Sequence, residues 1–281
     1  MEGKITVKDI LGLKNKRKIT MLTAYDYPLA RLVDNAEIDI ILVGDSLANV
    51  VLGLDSTKKV GMPEMLHHTK AVQRAVKHAL LVGDMPYDAY QLNPEDALNN
   101  AKRFMEEAGC DAVKVEWFEQ CLEVSRKVIK SGIPVMGHIG LTPQTAEKIG
   151  GFKVQGKDAE AALRLIEQAQ ALEKIGCFSI VLECVPDKLA ELITKKITIP
   201  TLGIGAGKYC DGQALVIHDM LGLFDRYTPK FVKKYVDLSP LISKAIEEYK
   251  EEVVGGEFPD VKHSFGIKEE ELKKILNEKT V

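Results

Sequence analysis

Two kinds of hydrophobic pattern alternate along this chain. Short and almost wholly apolar runs, such as IDIILV from Ile38 and FSIVL from Phe178, are followed by longer stretches with apolar residues at helical spacing. The short runs are typical of strands buried on both faces, and the longer stretches are typical of amphipathic helices. The predicted strands are Lys18–Thr23, Asp39–Val43, Leu80–Asp84, Ala112–Glu116, Pro134–His138, Phe178–Glu183, Thr201–Ile204 and Leu215–His218.

Local signals define the ends of several helices. Asn93 precedes Pro94 and two acidic residues, which predicts an N-cap, a first helical residue and side chains that suit the helix dipole. We expect this helix to end at Gly109. The other helices predicted in this way are Asp158–Ile175, Pro186–Thr194 and Lys268–Glu278.

Repeated strand–helix units predict a parallel sheet, because parallel neighbours need a crossover between them. Eight candidate strands favour a closed (β/α)8 barrel (a TIM barrel) in a single domain, and an open doubly wound sheet remains the structural alternative. We expect the barrel to span residues 1–265. Residues 266–281 are expected to form a short helical extension that packs against the barrel or against a neighbouring subunit.

Composition and charge narrow the class of protein. The chain has 281 residues, a formal charge of −3 and 46% hydrophobic residues, which is ordinary for a globular protein and argues against nucleic-acid binding. No apolar run is long enough to cross a membrane. The five cysteines include no C-x-x-C pair, so a reducing cytoplasm is the simplest expectation.

Polar side chains stand where the predicted strands end. In a (β/α)8 barrel the active site lies at the carboxyl ends of the strands. Carboxylates gathered there need a cation or a proton between them, and oxygen ligands without a Cys or His cluster favour Mg²⁺. For any single acid, a helix N-cap or a surface salt bridge is the alternative. The strand-end residues are Asp45, Ser46, Asp84, Lys114, Glu116, His138 and Glu183.

The alternation in the VKVE segment places Lys114 and Glu116 on one face of their strand, toward the interior or the rim of the barrel. Lys114 could bind a substrate carboxylate, or it could form a structural ion pair with Glu116. Ser46 could offer its hydroxyl and its backbone N–H to the same carboxylate, or it could cap the following turn.

Glu183 closes an apolar strand, and apolar surroundings would make it a plausible general base. A salt bridge at the rim is the alternative. His138 could donate to a substrate or be a core histidine with satisfied hydrogen bonds. His67 and His68 are adjacent within a predicted helix and therefore face different directions, which argues against a metal pair.

The glycine-rich segment GIGAG from Gly203 is a weak signal. Its backbone N–H groups could cradle an anion, or the glycines could serve a tight turn after the seventh strand. The segment lacks the G-x-G-x-x-G spacing of a dinucleotide fingerprint, and the chain contains no P-loop motif.

Longer segments together carry a family resemblance. They are TAYDYPLARL from Thr23, ILVGDSLANVVLGLDST from Ile41, LLVGDMPY from Leu80, VKVE from Val113, PVMGHIGLTPQ from Pro134, GGFKVQGK from Gly150, VLECVP from Val181, GIGAG from Gly203, CDGQALVIHDMLG from Cys210 and HSF from His263. They follow one another in order over nearly the whole chain. In this set the chain resembles the ketopantoate hydroxymethyltransferase (3-methyl-2-oxobutanoate hydroxymethyltransferase) family.

The resemblance implies a (β/α)8 barrel that depends on Mg²⁺ and assembles as a homo-oligomer, often a homodecamer. It implies transfer of a hydroxymethyl group from 5,10-methylenetetrahydrofolate to 3-methyl-2-oxobutanoate in pantothenate biosynthesis. The metal ligands that it implies are Asp45, Asp84 and, directly or through water, Glu116. The substrate contacts that it implies are Asp45, Ser46, Asp84, Lys114 and His138, and the implied proton acceptor is Glu183.

Two positions depart from the family pattern. Trp117 and Phe118 follow the Lys-x-Glu where the family often has two glycines, and Leu54 replaces a polar or aromatic residue. Both departures are expected near the mouth of the site, where they bear on folate affinity. Two rival functions stay open on the sequence: a Mg²⁺-dependent 2-oxo-acid lyase of the related barrels, whose K-K-C-G-H-like segment is missing here, and a non-catalytic 2-oxo-acid binding protein.

Overall fold

The computed structural model describes residues 3–91, 93–149, 151 and 153–278, and of residues 147–149 and 278 it describes the backbone alone. The strands form one closed barrel in which each is parallel to its neighbours in sequence and β8 pairs with β1. The predicted (β/α)8 barrel is therefore confirmed. The strands are β1 (Ile19–Thr23), β2 (Ile40–Val43), β3 (Leu80–Asp84), β4 (Ala112–Glu116), β5 (Val135–Gly140), β6 (Ser179–Glu183), β7 (Thr201–Ile204) and β8 (Gly212–Leu215).

Helices surround the barrel and occupy the crossovers. Short 3-10 helices lie at Thr57–Lys59, Pro143–Ile149 and Val261–His263. The α-helices are α1 (Val7–Leu13), α2 (Tyr27–Asn35), α3 (Leu47–Val50), α4 (Met62–Gln73), α5 (Tyr87–Tyr90), α6 (Pro94–Glu106), α7 (Cys121–Lys130), α8 (Ala159–Ile175), α9 (Asp187–Lys196), α10 (Ile217–Met220), α11 (Ser239–Gly255) and α12 (Glu269–Glu278).

The apolar strands serve two cores at once. In β2, Ile40 and Leu42 belong to the cluster inside the barrel, and Ile41 and Val43 belong to the cluster between the barrel and its helices. All residues of this strand are buried, as its uninterrupted apolar pattern predicts. Side chains alternate along a strand, so a polar residue an even number of positions from an inward-facing residue also points into the barrel.

The helix signals confirm the predicted starts of α6 and α8. The Asn93 side chain accepts hydrogen bonds from the backbone N–H groups of Glu95 and Asp96, and Asp158 caps α8 in the same way. Gly176 ends α8 with a φ of 101°, a backbone conformation that suits glycine. The two N-caps therefore fix where α6 and α8 begin.

The predicted position of the eighth strand was wrong. The strand is Gly212–Leu215 rather than Leu215–His218, and Ile217–Met220 is the short helix α10. The strand begins with a glycine because the backbone of β1 is too close for a side chain: a Cβ on Gly212 would lie 2.5 Å from the backbone oxygen of Ile19. With an exposed Gln213 beside that glycine, the strand shows no apolar run.

The C-terminal segment leaves the barrel. From residue 240 to residue 277 every residue is exposed except the half-buried Phe258. The predicted helix at Lys268–Glu278 is present as α12, and it does not pack on its own barrel. The division between 1–265 and 266–281 stays a prediction, and residues 279–281 lie outside the described part. Among the described residues, no helix combines the length and apolarity that a membrane span requires.

Candidate active site

The predicted polar residues come together in one cavity of about 660 Å³ at the carboxyl ends of the strands. They lie on β3, β4, β5 and β6 or in the turn that follows β2. The members of the set that line the cavity are Asp45, Ser46, Asp84, Lys114, Glu116, His138 and Glu183. Most of these side chains are buried, so their charges interact through protein rather than through water.

Strand register pairs the side chains of neighbouring strands. Asp84 at the end of β3 is the register partner of Lys114 on β4, and Glu116 on β4 is the register partner of His138 on β5. Lys114 and Glu116 are in phase with the inner side chains of β4, as the alternation predicts, whereas Val113 and Val115 belong to the outer core. The register thus sets an acid beside a base on each of two neighbouring strand pairs.

Asp45 and Lys114 are both hydrogen-bonded to Asp84. The Lys114 ammonium donates to Asp84 Oδ1 at 2.6 Å, and the backbone N–H of Asp45 donates to Asp84 Oδ2 at 3.1 Å. Burial, together with the carboxylates of Asp84 and Glu116, raises the pKa of Asp45 to about 8. Burial also raises the pKa of Asp84, with Lys114 opposing the shift. One lysine is therefore too little positive charge for this group of acids.

Glu116 is held between several donors. Its Oε2 accepts the backbone N–H of Gln144 at 3.1 Å, and its Oε1 lies 3.8 Å from the Lys114 ammonium. Burial raises the pKa of Glu116, but the contacts with His138, Lys114 and Gln144 outweigh it and lower that pKa overall. The closer partner of Lys114 is Asp84, so the predicted Lys114–Glu116 ion pair is the weaker of its two contacts.

His138 bridges two carboxylates. Its Nδ1 lies 3.4 Å from Glu116 Oε1 and its Nε2 lies 3.2 Å from Glu183 Oε2, although neither contact has the angles of a hydrogen bond. Burial and the charge of Lys114 disfavour the cationic imidazole. The carboxylates of Glu116 and Glu183 outweigh them and raise the pKa of His138 to about 9. The Glu183 side chain is 15% exposed and faces the cavity.

Ser46 contacts a buried tyrosine. The hydroxyl groups of Ser46 and Tyr25 are 2.7 Å apart, and Tyr25 is almost completely buried. Burial raises the pKa of the Tyr25 phenol, which therefore stays protonated. Ser46 stands at the start of α3 without forming a side-chain cap, so the predicted capping alternative is not observed.

Sequence reasoning missed Gln144 and Tyr90. Gln144 is buried in the turn after β5, where its side-chain amide donates to Asp45 Oδ2 at 2.9 Å. The Tyr90 hydroxyl donates to the Oε1 of the same amide. Gln144 ends the PVMGHIGLTPQ segment, and a polar residue in the connection that follows the predicted fifth strand was the signal that could have identified it.

The acids alone do not complete a metal site. Among the residues that the structure describes, no three His, Cys, Asp or Glu side chains are placed so that they could hold a metal ion together. The donor set nevertheless suits a hard divalent cation. Three buried carboxyl groups, those of Asp45, Asp84 and Glu116, surround the single ammonium group of Lys114. Mg²⁺ usually takes one or two carboxylates from a protein and keeps several waters.

The residues that line the mouth of the cavity differ in type from those of its floor, which consists of the buried residues Asp45, Asp84, Lys114 and Glu116. Aromatic and basic side chains surround it, together with the half-buried Asp219, whose pKa burial raises to about 6. The Arg226 guanidinium donates to the backbone oxygen of Gly53 at 2.9 Å, which fixes one side of the rim. The aromatic and basic residues of the mouth are Lys153, Phe224, Arg226, Tyr227, Lys230 and Phe231.

The structure separates other candidates from the site. His67 is exposed on α4, and the Nδ1 of His68 lies 2.7 Å from the backbone oxygen of Tyr25, so the two rings serve different environments. In the GIGAG turn, a Cβ on Gly205 would lie 2.6 Å from the Phe231 ring, which favours the turn interpretation over an anion cradle. Gly150 and Phe152 of the GGFKVQGK segment lie outside the described residues.

The two family departures pack against the core. Trp117, Phe118 and Leu54 are partly buried against the outer cluster, and Phe118 meets the Tyr90 ring edge to face at 5.3 Å between centroids. Of the described side chains that line the cavity, none belongs to these three positions. These residues can therefore influence the shape of the cavity only through their neighbours, as Phe118 does through its contact with Tyr90.

Comparisons with known proteins find relatives over nearly the whole chain. Residues 4–261 match the family model described as ketopantoate hydroxymethyltransferase. A 3-methyl-2-oxobutanoate hydroxymethyltransferase of Syntrophomonas wolfei is 56% identical over 262 residues, which are 93% of this chain and 95% of the relative. The protein of the same name from Syntrophobacter fumaroxidans is 54% identical over 98% of both chains.

Solved structures share the fold at low identity. A phosphonopyruvate hydrolase in complex with oxalate and Mg²⁺ superposes with a TM-score of 0.58 and 13% identity, over 98% of this chain and 96% of that one. An oxaloacetate acetylhydrolase with 3,3-difluorooxalacetate gives a TM-score of 0.60 and 10% identity, over 99% and 95%. At this identity the likeness concerns the barrel alone.

Proposed function

Since the chain belongs to the ketopantoate hydroxymethyltransferase family, we propose that it enolises 3-methyl-2-oxobutanoate in this cavity and transfers to it a hydroxymethyl group from 5,10-methylenetetrahydrofolate. The product is 2-dehydropantoate, in the biosynthesis of pantothenate. One observation carries the proposal: the acids, the lysine, the serine and the histidine, which the sequence places at the ends of five predicted strands, all line one cavity.

We propose that Asp45 and Asp84 hold a Mg²⁺ ion, with Glu116 bound to it through water. The acid-rich floor and the raised pKa of Asp45 support this, because a divalent cation would supply the positive charge that the group lacks. Two protein carboxylates also leave room for waters and for a bidentate substrate. When bound there, the ion would polarise the keto group and stabilise the negative charge of the enolate.

The substrate carboxylate is proposed to lie near Lys114 and Ser46. The Lys114 ammonium is buried and stays charged, because the surrounding carboxylates outweigh burial and raise its pKa. Ser46 can add its hydroxyl, which the Tyr25 phenol already orients from the other side. A buried cation with an oriented hydroxyl is suited to an anionic group that must be fixed before reaction.

Glu183 is the proposed base. Its side chain reaches the cavity from the end of β6 and retains 15% exposure, so a substrate above the acids can contact it. Glu183 takes the proton from C3, and the electron pair of the C–H bond forms the enolate. C3 then attacks the methylene carbon, the bond from that carbon to one folate nitrogen breaks, and this nitrogen receives the proton that Glu183 took from C3. Water displaces the second nitrogen: its hydroxyl group stays on the carbon and its other proton goes to that nitrogen.

The folate donor is proposed to occupy the mouth. A cavity of about 660 Å³ is far larger than a five-carbon acid requires. Aromatic rings at Phe224 and Phe231 can contact the aminobenzoyl ring, and Arg226 and Lys230 can attract the glutamate carboxylates. This arrangement would bring the methylene carbon toward the floor while the charged tail remains at the rim.

Self-association is proposed from the C-terminal segment. Leu241, Ile246 and Tyr249 of α11 are 60%, 61% and 59% exposed, and no residue of this helix is buried. A helix of this length depends on packing of its apolar face, so a second copy of the chain is the expected cover. The homodecamer implied by the family resemblance is the assembly that we propose.

The test is a turnover assay with purified protein. Tetrahydrofolate release is followed while the 2-oxo acid and the divalent metal are varied in turn. We expect turnover with 3-methyl-2-oxobutanoate and Mg²⁺, and loss of turnover after treatment with a chelator. Binding of the acid without any product would identify a non-catalytic binding protein instead.

A further inference from the structure

The side chain of Gln144 uses its whole amide group. It is 0% exposed, and its Nε2 donates both to Asp45 Oδ2 at 2.9 Å and to the backbone oxygen of Met85 at 3.1 Å. Its Oε1 accepts a hydrogen bond from the Tyr90 hydroxyl. Both hydrogens and the oxygen of the amide are therefore engaged, as burial of a polar group requires.

These partners allow only one orientation of the amide. A rotation by half a turn would set Oε1 against the Met85 carbonyl, which can only accept, and against the Asp45 carboxyl, which can only accept when it is ionised, as it would be with a cation bound. Tyr90 is fully buried and its pKa is raised well above the usual value, so its hydroxyl keeps the proton that it donates. Tyr90 thus fixes which end of the amide faces Asp45.

The same residue also holds the acid of another strand. The backbone N–H of Gln144 donates to Glu116 Oε2 at 3.1 Å. One turn after β5 therefore fixes carboxylates at the ends of β2 and β4. Asp45 Oδ2 is occupied by the amide, whereas Oδ1 receives no hydrogen bond within the described part of the chain and is left for a ligand in the cavity.

We propose that Gln144, oriented by Tyr90, is a positioning residue that sets the rotation of the Asp45 carboxylate and thereby presents Oδ1 to the substrate side of the cavity. Gln144 acts through Asp45 and does not touch the reacting atoms. The inference deepens the proposed function and rests on it, because it assigns to these two residues the geometry in which the 2-oxo acid is bound.

The main test replaces Gln144 by Met, which has a similar volume and cannot donate to Asp45. Binding of 3-methyl-2-oxobutanoate with Mg²⁺ is measured by calorimetry, and KM and kcat are measured separately. Loss of a partner that orients a metal-binding carboxylate typically weakens binding by about 10-fold to 100-fold. We expect a fall of this size in affinity for the acid and a parallel rise in its KM, with a smaller change in kcat.

The matched control is Thr145→Val in the same turn. The Thr145 hydroxyl is buried and lies 2.7 Å from that of Thr142, and it forms no hydrogen bond with the acids. This variant should lower the melting temperature and leave the affinity for the acid unchanged. Equal losses of affinity in Gln144→Met and Thr145→Val would show that the turn is merely structural, and would overturn the inference.

Tyr90→Phe tests the orientation separately, also where Gln144→Met does not fold. The variant should weaken acid binding in the same direction but by less, since the amide remains and has lost only its restraint. Adding Gln144→Met to it should give no more loss than Gln144→Met alone. Wild-type affinity in either single variant contradicts the inference, whereas a wild-type chain that binds the acid but releases no product contradicts the proposed function instead.

Discussion

The imidazole Nε2 of His138 lies 3.2 Å from Glu183 Oε2. On its other side the same ring reaches Glu116, and the two carboxylates raise the pKa of His138 to about 9 although burial and Lys114 oppose the shift. His138 thus connects the proposed base on β6 to the acids of the floor. A cation between the two carboxylates favours one position of the Glu183 side chain, which the proposed proton transfer requires.

Asp84→Asn should abolish tight, Mg²⁺-dependent binding of the 2-oxo acid. The change removes one of two proposed ligands and leaves Lys114 with a weaker partner. Calorimetry with and without Mg²⁺ measures the effect. Asp88→Asn makes the same chemical change on the exposed surface of α5 and should bind normally. Unchanged affinity in Asp84→Asn would remove this residue from the metal site.

Lys230→Ala should raise the KM for the folate donor and leave the KM for the 2-oxo acid unchanged. An exposed charge contact contributes up to about 1 kcal/mol, so we expect a rise of about twofold to fivefold, which high salt diminishes. Lys233→Ala is the control, since Lys233 stacks over the Tyr235 ring outside the cavity. Equal effects of the two variants would argue against a folate tail at this rim.

Asp219→Asn should stabilise the fold at neutral pH. Burial raises the pKa of Asp219 from 3.8 to about 6, with Lys234 opposing, so the folded state holds this proton more tightly than the unfolded state. The stability that the proton provides is present below about pH 4 and is lost as the pH rises through 6.

The melting temperatures of wild type and Asp219→Asn, measured from pH 4 to pH 8, check this. The free energy of unfolding of the variant should increase relative to that of the wild type as the pH rises. The increase should be about 1 kcal/mol once solvent screening of a half-buried group is allowed for. Asp225→Asn, at an exposed neighbouring position, should follow the wild-type curve. A gap that narrows between pH 4 and pH 8 would show that Asp219 is not the group responsible.

Ile246→Glu on α11 should dissociate the assembly. The side chain is 61% exposed in the single chain and belongs to the apolar face of the helix, so a charge there would be buried on association. Analytical ultracentrifugation gives the mass of the particle. Lys244→Glu, on the opposite face of the helix, is the control. An assembly that survives Ile246→Glu would show that this face is not an interface.

Much of the site could be predicted because it depends on local patterns. Alternation within β4 places Lys114 and Glu116 inside the barrel, and an apolar run that ends in an acid places Asp84 at the rim of β3. Parallel strands bring their carboxyl ends to one side, so these local placements become a shared cavity without any knowledge of long-range contacts.

The remainder depends on contacts that the pattern does not encode. Gln144 reaches Asp45 across 99 positions of sequence, and only the path of the turn after β5 brings them together. Gly212 begins β8 because of the close approach of Ile19, a packing constraint that leaves no hydrophobic signal. The exposure of α11 could not be predicted from the sequence either. An apolar helix face has the same sequence pattern whether its own barrel or a partner covers it.

The most direct test of the central claim is hydrogen exchange at C3 of 3-methyl-2-oxobutanoate in D₂O, with Mg²⁺ and without folate, followed by proton NMR. Wild type should exchange this proton, and Glu183→Gln should bind the acid normally while exchange slows by about 100-fold or more, since a general base typically contributes 10²–10⁴. Exchange at the wild-type rate in Glu183→Gln would contradict the account, because another group would then remove the proton.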